Sequence, residues 1–163
     1  MSVAEISQMT QYLTFKLQDE VFALDISTVR EVLDFTTVTR IPKTPDFMRG
    51  VINLRGSVVP VIDLRLKFGM TVTEKTVNTC VIIVEVKVGD EAIVLGVLAD
   101  SVQEVMDLDA EHIEPAPNIG THLKTDFIKG MGKHNDQFLM LLDMDKIFSA
   151  GEFAKGTAIP AAA

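Results

Sequence analysis

The residue types that carry chemistry are few in this chain, and their spacing does not match the common metal and nucleotide sites. The three histidines have no metal-ligand spacing, and Cys80, the one cysteine, cannot form an intrachain disulfide. The segment from Asp107 opens like a calcium loop but has His112 where that loop needs glycine. Gly130–Lys133 lacks the following Ser or Thr of a phosphate-binding loop. We therefore predict no metal site and no cofactor.

Two carboxylates, Asp63 and Asp143, are the only residues whose placement suggests paired acid–base catalysis. Each of them directly precedes an amphipathic segment, where an aspartate that caps the start of a helix explains its presence. No serine or cysteine has the local signature of a catalytic nucleophile. The sequence therefore favours a protein that is not an enzyme.

The tetrapeptide Asn53-Leu54-Arg55-Gly56 is the most distinctive polar motif. It lies between two apolar runs, so it reads as the end of a hairpin in which Gly56 supplies the turn geometry. An arginine at such a turn is either solvated or bonded, through its planar donors, to a carboxylate or carbonyl of a partner. The residues alone leave both readings open.

The frame around this motif is duplicated. At an offset of 80 residues, the segment Asp46–Gly50 is answered by Asp126–Gly130, and Asp63 by Asp143. Two earlier segments repeat at offsets of 71 and 73: Asp19–Leu24 with Asp90–Leu95, and Val29–Leu33 with Val102–Met106. The motif itself is not repeated, since its counterpart is Lys133-His134-Asn135-Asp136. Two like units with one divergent turn suggest a scaffold that carries one specialised contact.

The elements that position these residues are predicted to be mainly short strands. Apolar alternation and turn residues predict strands at 12–18, 20–26, 37–41, 50–54, 57–62, 80–87, 92–99, 102–107 and 137–142. Short helices are expected at 63–68 and 143–149, and Thr28–Glu31 fits a capping box, which favours a helix start over a continued strand. Pro60 predicts an edge or bulged strand. Many short strands indicate an all-β protein of two small barrels or sandwiches.

Composition excludes several function classes. The net charge of −8 and the absence of a basic stripe argue against nucleic-acid binding. The N-terminus lacks the pattern of a signal peptide, and charges interrupt the most apolar stretch, 79–99, so membrane insertion is not expected. We expect a cytoplasmic protein in which Cys80 is a buried, small apolar residue.

The segment Ile41–Phe68, IPKTPDFMRGVINLRGSVVPVIDLRLKF, resembles the CheW family of bacterial chemotaxis coupling proteins. The resemblance extends over nearly the whole chain, from Tyr12–Phe15 through Leu95–Val102 to Leu141–Asp143. It implies one CheW-like domain at 10–151, made of two SH3-like five-stranded β-barrel subdomains at about 12–70 and 79–148, and a flexible tail at 152–163.

The resemblance also implies a function and its residues. Such a protein would be a non-enzymatic adaptor that binds the cytoplasmic tip of a chemoreceptor and the regulatory domain of the CheA histidine kinase, with ring assemblies possible. Carried over by motif, the receptor contact is Val29, Glu31, Asn53 and Arg55, the kinase contact is Thr79, Cys80, Glu114 and Ile119, and Gly50 and Gly56 are turn glycines. Glu114 departs from the family, which often has a basic residue there.

Two other functions remain open on the sequence. An adaptor for pilus motility or for another kinase cascade would have the same fold and contacts. A small-molecule-binding barrel would instead need an apolar cavity with a few convergent polar groups.

Overall fold

The computed structural model describes residues 9–88, 90–115, 127–134 and 137–147, and most of these residues are in β-strands. The strands are β1 Met9–Leu17, β2 Glu20–Asp25, β3 Val29–Asp34, β4 Met48–Leu54, β5 Ser57–Ile62, β6 Cys80–Val88, β7 Glu91–Ala99, β8 Ser101–Asp109, β9 Ile113–Glu114, β10 Ile128–His134 and β11 Gln137–Leu142. Helices are short: α1 Leu64–Lys67, α2 Met144–Ile147, and 3-10 turns at Ile26–Thr28 and Ala110–His112. In this part of the chain, no helix has the length and hydrophobicity needed to cross a membrane.

The strands form two sheets with the same plan. Sheet A has the order β8-β1-β2-β11-β10-β9, and sheet B has the order β3-β6-β7-β5-β4. In each sheet one parallel pair, β2 with β11 or β7 with β5, joins two antiparallel sets. The all-β class with two β subdomains is therefore confirmed, and sheet A has a sixth strand only because of the two-residue β9.

The two repeats exchange their first hairpins. Hairpin β1–β2 of the first half lies in sheet A with β8, β10 and β11, whereas hairpin β6–β7 of the second half lies in sheet B with β3, β4 and β5. The sheets thus cross the boundary between 12–70 and 79–148 that the sequence suggested for the subdomains. A sequence repeat indicates which segments are alike. It does not indicate whether a strand pairs with strands of its own half or with the equivalent strands of the other half.

This exchange builds one shared core between the sheets and a smaller core within each sheet. Residues of both exchanged hairpins, including Phe15, Leu24, Ile82 and Leu95, are fully buried together in the shared cluster. Each such side chain contributes about 2 kcal/mol of burial. Separate clusters around Leu141 and Val61 fill sheets A and B. The shared core makes the two sheets one folded unit.

Two predicted elements are wrong. The segment from Thr28 to Glu31 does not start a helix, since Thr28 ends a 3-10 turn capped by Asp25 and strand β3 follows with alternating burial. The period-two alternation of β3, paired along β6, prevails over the local capping pattern. Residues 37–41 form no strand either, and only the bridge between Thr39 and Val51 remains of it.

Pro60 does not mark an edge, because β5 lies between β7 and β4. Its partner Val51 uses its N–H and C=O for Thr39, with N···O distances of 2.8 and 2.9 Å, so the nitrogen of Pro60 faces β7. Pairing between β5 and β7 begins only at Val61. The interior strand β5 therefore accommodates Pro60, which has no N–H donor, because Pro60 lies just before the residues of β5 that pair with β7.

Candidate partner-binding site

The β4–β5 hairpin ends in the tight turn that the sequence predicts. Leu54 pairs with Ser57, and both residues between them have positive φ, +50° at Arg55 and +90° at Gly56. Two positive φ values are typical of a type I′ turn, whose twist matches that of the strands. The N–H of Gly56 donates to Oδ1 of Asn53 at 2.8 Å. Asn53 therefore fixes the turn that presents Arg55.

Arg55 forms a two-pronged ion pair with Glu31 of edge strand β3. Nη1 donates to Oε1 at 3.2 Å, and Nη2 donates to Oε2. The pair lies at the surface, with 69% of the Arg55 side chain and 31% of the Glu31 side chain exposed. The guanidinium has five N–H donors, so three remain for a partner after this fork. Glu31 thus holds Arg55 in one orientation without using up its binding capacity.

The two charges stabilise each other's ionised forms. The hydrogen bond from Arg55 lowers the pKa of Glu31 from its ordinary value, and the same contact raises the pKa of Arg55. Both groups are therefore charged at neutral pH. The arrangement can recognise a polar or acidic surface through charge-assisted hydrogen bonds.

Val29 completes the set of residues predicted for the receptor contact. It precedes Glu31 by two positions on β3, but a shift in register with β6 lies between them, so Val29 pairs with Val84 and Glu31 with Ile83, on opposite faces of the sheet. Val29 is half-buried and packs against the shared core. Exposed apolar surface near the turn comes instead from Val58, which pairs with Asn53 and is 59% exposed. The structure therefore brings Glu31, Asn53 and Arg55 together, whereas Val29 packs into the shared core and not against this group.

Gly50 lies inside β4, at a shift in its register with β5, and is not a turn residue as expected. Its φ of +144° is one that residues with side chains rarely adopt. A Cβ at this position would be 2.1 Å from the carbonyl oxygen of Thr39. Glycine here lets Thr39, in the segment after β3, pair with Val51 of β4.

Asp63 has a structural role larger than the predicted helix cap. It is fully buried, and it caps α1 by accepting from the N–H of Arg65 at 3.1 Å. It also accepts from Nη1 of Arg49 at 3.2 Å and from the hydroxyl and N–H of Thr73 at 2.6 and 2.9 Å. The repeated Asp46–Gly50 segment contains Arg49 and so was a sequence signal for the contact between Arg49 and Asp63. No sequence signal indicated the contact between Thr73 and Asp63.

Among the residues predicted for the kinase contact, Thr79 and Cys80 lie where the linker loop, residues 68–79 between α1 and β6, enters β6. Thr79 is 2% exposed, and its hydroxyl donates to the carbonyl of Glu74 at 3.0 Å. Its side chain therefore holds the linker loop. Cys80 is half-buried rather than fully buried as expected, and its partial burial raises the pKa of the thiol.

Glu114 is exposed on β9, opposite Met131 of β10. Ile119 lies outside the described residues. The structure does not bring Glu114 near Cys80 in one sheet, since β9 belongs to sheet A and β6 to sheet B. Within the described residues, no three His, Cys, Asp or Glu side chains are grouped as metal ligands.

Comparisons with known proteins agree with this architecture. Residues 11–152 match the CheW-like domain family. Chemotaxis protein CheW of Klebsiella aerogenes is 40% identical over 144 residues, which are 88% of this chain and 84% of that protein. Chemotaxis protein CheW of Helicobacter pylori is 31% identical over 140 residues, which are 86% of this chain and 82% of that protein.

A solved structure shows the same fold. The crystal structure of the scaffolding protein TtCheW from Thermoanaerobacter tengcongensis superposes with a TM-score of 0.75 at 36% identity, over 85% of this chain and 87% of that one. The family match covers nearly all of the described residues, and both sequence and fold lead to the same group. The chain therefore belongs to the CheW family of chemotaxis scaffold proteins.

Proposed function

We propose that this protein is a non-enzymatic adaptor that couples transmembrane chemoreceptors to a CheA-type histidine kinase. The observation that carries the proposal is the Glu31–Arg55 pair, which lies at the one turn where the two repeats diverge. Family membership supports the scaffold role, and the pair supplies a surface with spare hydrogen-bond donors. The protein would act in the cytoplasm, recruited to membrane-associated receptor arrays.

The receptor contact would use charge and apolar surface together. Arg55 offers donors already oriented by Glu31, and Val58 offers exposed apolar surface beside the turn. Oriented arginines next to apolar surface are typical of energetically dominant interface residues. Receptor state would then reach the kinase by shifting populations of packing arrangements across the assembly.

The kinase contact would involve the surfaces at Cys80, Glu114 and Ile119. Thr79 would contribute by holding the linker loop beside Cys80, because its side chain is buried. Cys80 lies on sheet B and Glu114 on sheet A, and contacts on both sheets are compatible with alternating rings of adaptor and kinase.

The test is a pull-down of the full chain with a CheA-type regulatory domain and, separately, with a receptor signalling-tip fragment. Arg55→Ala removes the donors at the turn, and Arg30→Ala is the matched control, because Arg30 also forms an exposed ion pair, with Glu85. We expect Arg55→Ala to lose receptor binding and to keep kinase binding. Arg30→Ala should keep both.

Normal receptor binding by Arg55→Ala would reject the assigned contact. If the wild type bound neither partner while its circular dichroism and melting showed a folded protein, the coupling function itself would be rejected.

A further inference from the structure

Sheet A carries an open groove at the end that corresponds to the Arg55 end of sheet B. The cavity is about 350 Å³ and is lined by residues of β1, β2, β8 and the start of β11. Val21, Met106 and Leu139 supply apolar lining, and Glu104 and Gln137 supply polar lining. A mixed lining of this kind suits the aliphatic stem and charged head of a long cationic side chain.

The repeat relates the acidic residue of this groove to the site on sheet B. Glu104 is the sequence counterpart of Glu31, at an offset of 73 residues. Both lie next to a shift in register on an edge strand, β8 in sheet A and β3 in sheet B. The repeat therefore places a carboxylate at the equivalent position of the edge strand in each sheet.

The two carboxylates differ in their partners. Glu31 is bonded to Arg55, whereas no cation among the described residues pairs with the carboxylate of Glu104. The backbone of Glu104 is fixed, because the hydroxyl of Thr14 donates to its carbonyl at 2.8 Å and accepts from its N–H at 3.1 Å. The sequence counterpart of Arg55 is Asn135, which cannot supply the missing charge. Sheet A thus has the acceptor of the pair without the donor.

Apolar side chains adjoin Glu104 within the groove itself. Met106, two positions after Glu104 on β8, is half-buried, and Val21 and Leu139 are buried. The aliphatic stem of a cationic side chain can pack on these groups while its charged head reaches the carboxylate. Arginine is the cation that best combines a two-pronged bond to a carboxylate with packing on apolar surface.

We propose that the groove of sheet A binds an arginine side chain presented by a partner protein, which pairs with Glu104 as Arg55 pairs with Glu31 within the chain. The partner surface would be a protruding turn with an arginine at its tip. This contact lies on the other sheet from the proposed receptor site, and the inference does not depend on the coupling function.

The chain's own hairpin provides a probe of the right chemistry. A cyclic peptide with the sequence of residues 51–59 is titrated into the full-length, 15N-labelled protein, and amide shifts are followed by NMR. The control peptide replaces its arginine with citrulline, which keeps the shape and removes the charge. The control protein is Glu104→Gln, whose bonds to Thr14 are through the backbone and so persist.

We expect saturable shifts at Gln103, Glu104, Met106 and Leu139 in the wild type. Glu104→Gln and the citrulline peptide should each weaken binding by about tenfold or more, the loss expected for one charge-assisted contact. The dispersion of the amide spectrum shows whether Glu104→Gln is folded.

Shifts that are absent from β8 and β11, or that persist unchanged in folded Glu104→Gln, would overturn the proposal. So would equal binding of the citrulline peptide, since the groove would then recognise shape and not charge. In Arg55→Ala, where Glu31 loses its partner, a second set of shifts on β3 is expected, which shows the same recognition at the counterpart site.

Discussion

The two sheets repeat one plan, but the half of the repeat that ends in β4, β5 and α1 is braced much more tightly than the half that ends in β10, β11 and α2. In both, the aspartate before the helix donates its N–H to a phenylalanine carbonyl, at 2.6 Å for Asp63 and 2.7 Å for Asp143. Asp63 is fully buried and bonded to Arg49 and Thr73. Asp143 is half-buried, and its carboxylate accepts the N–H of Asp145 at 3.1 Å.

The difference in bracing between the two halves indicates where the position of a side chain must be held precisely. The braced half carries the turn that holds Arg55, whose useful orientation depends on a rigid hairpin. The less tightly braced half carries no arginine at that turn. Both copies share the same strand arrangement. In the first copy, the additional buried contacts of Asp63 support the hairpin that presents Arg55.

The largest effect is expected at the glycines of the two closing strands. Gly50→Ala forces a Cβ against the backbone oxygen of Thr39 at a φ of +144°, and we expect a loss of about 3 kcal/mol or more of unfolding free energy. Gly130→Ala brings a Cβ to 2.6 Å from Cγ2 of Ile113 and 3.1 Å from the carbonyl oxygen of Glu114, but without a positive φ, so it should cost less, about 2 kcal/mol. Urea denaturation of both variants measures the difference, and Gly50→Asp should be worse still.

The second contrast is between the two aspartates. Asp63→Asn leaves the charge of Arg49 without its buried partner, so we expect a loss of about 3 kcal/mol. Asp143→Asn keeps a residue that also caps helices well and should cost less than about 1 kcal/mol. Thermal and urea unfolding report both values. Equal losses would show that the bracing is the same in the two halves.

The smallest effect on stability is expected at the Glu31–Arg55 pair, because it lies at the surface. Removing Arg55 should return the pKa of Glu31 upward toward its ordinary value, since their hydrogen bond lowers it. A lowered carboxyl pKa stabilises the fold above the unfolded-state value and loses that effect as pH falls through the folded-state value. Wild type and Arg55→Ala should therefore converge in stability at acidic pH.

Carboxyl NMR titration of Glu31 in both proteins checks this shift directly. An unchanged Glu31 pKa in Arg55→Ala would mean that the pair does not form in solution.

Local features were the most predictable from the sequence. The hairpin at Arg55-Gly56, the capping role of Asp63 and most strands follow from turn residues and alternation, and they are confirmed. The helix start at Thr28 failed because a capping box is a local pattern, whereas β3 forms through pairing with β6, about fifty residues away in the chain. The local conformational propensity of a segment does not include pairing with a strand so far away in the chain.

Long-range arrangement was predictable only in part. The repeat indicated two like units, but the exchange of hairpins β1–β2 and β6–β7 leaves no trace in sequence, because either copy satisfies the same pattern. The pairing of Glu31 with Arg55, 24 residues apart, also had no local signal, because it joins edge strand β3 to the turn after edge strand β4. The burial of Thr79 came from the linker loop, whose polar residues gave no periodic signal.

The most direct test of the central claim is a charge swap, Glu31→Arg with Arg55→Glu in one chain, assayed for binding to a receptor signalling-tip fragment and to a CheA-type regulatory domain. The swap rebuilds an ion pair at the same place, so folding and kinase binding should equal those of the wild type. If Arg55 contacts the receptor, receptor binding stays lost in the swapped protein, as in Arg55→Ala. Recovery of receptor binding together with the pair would contradict the account, because any ion pair at that turn would then suffice.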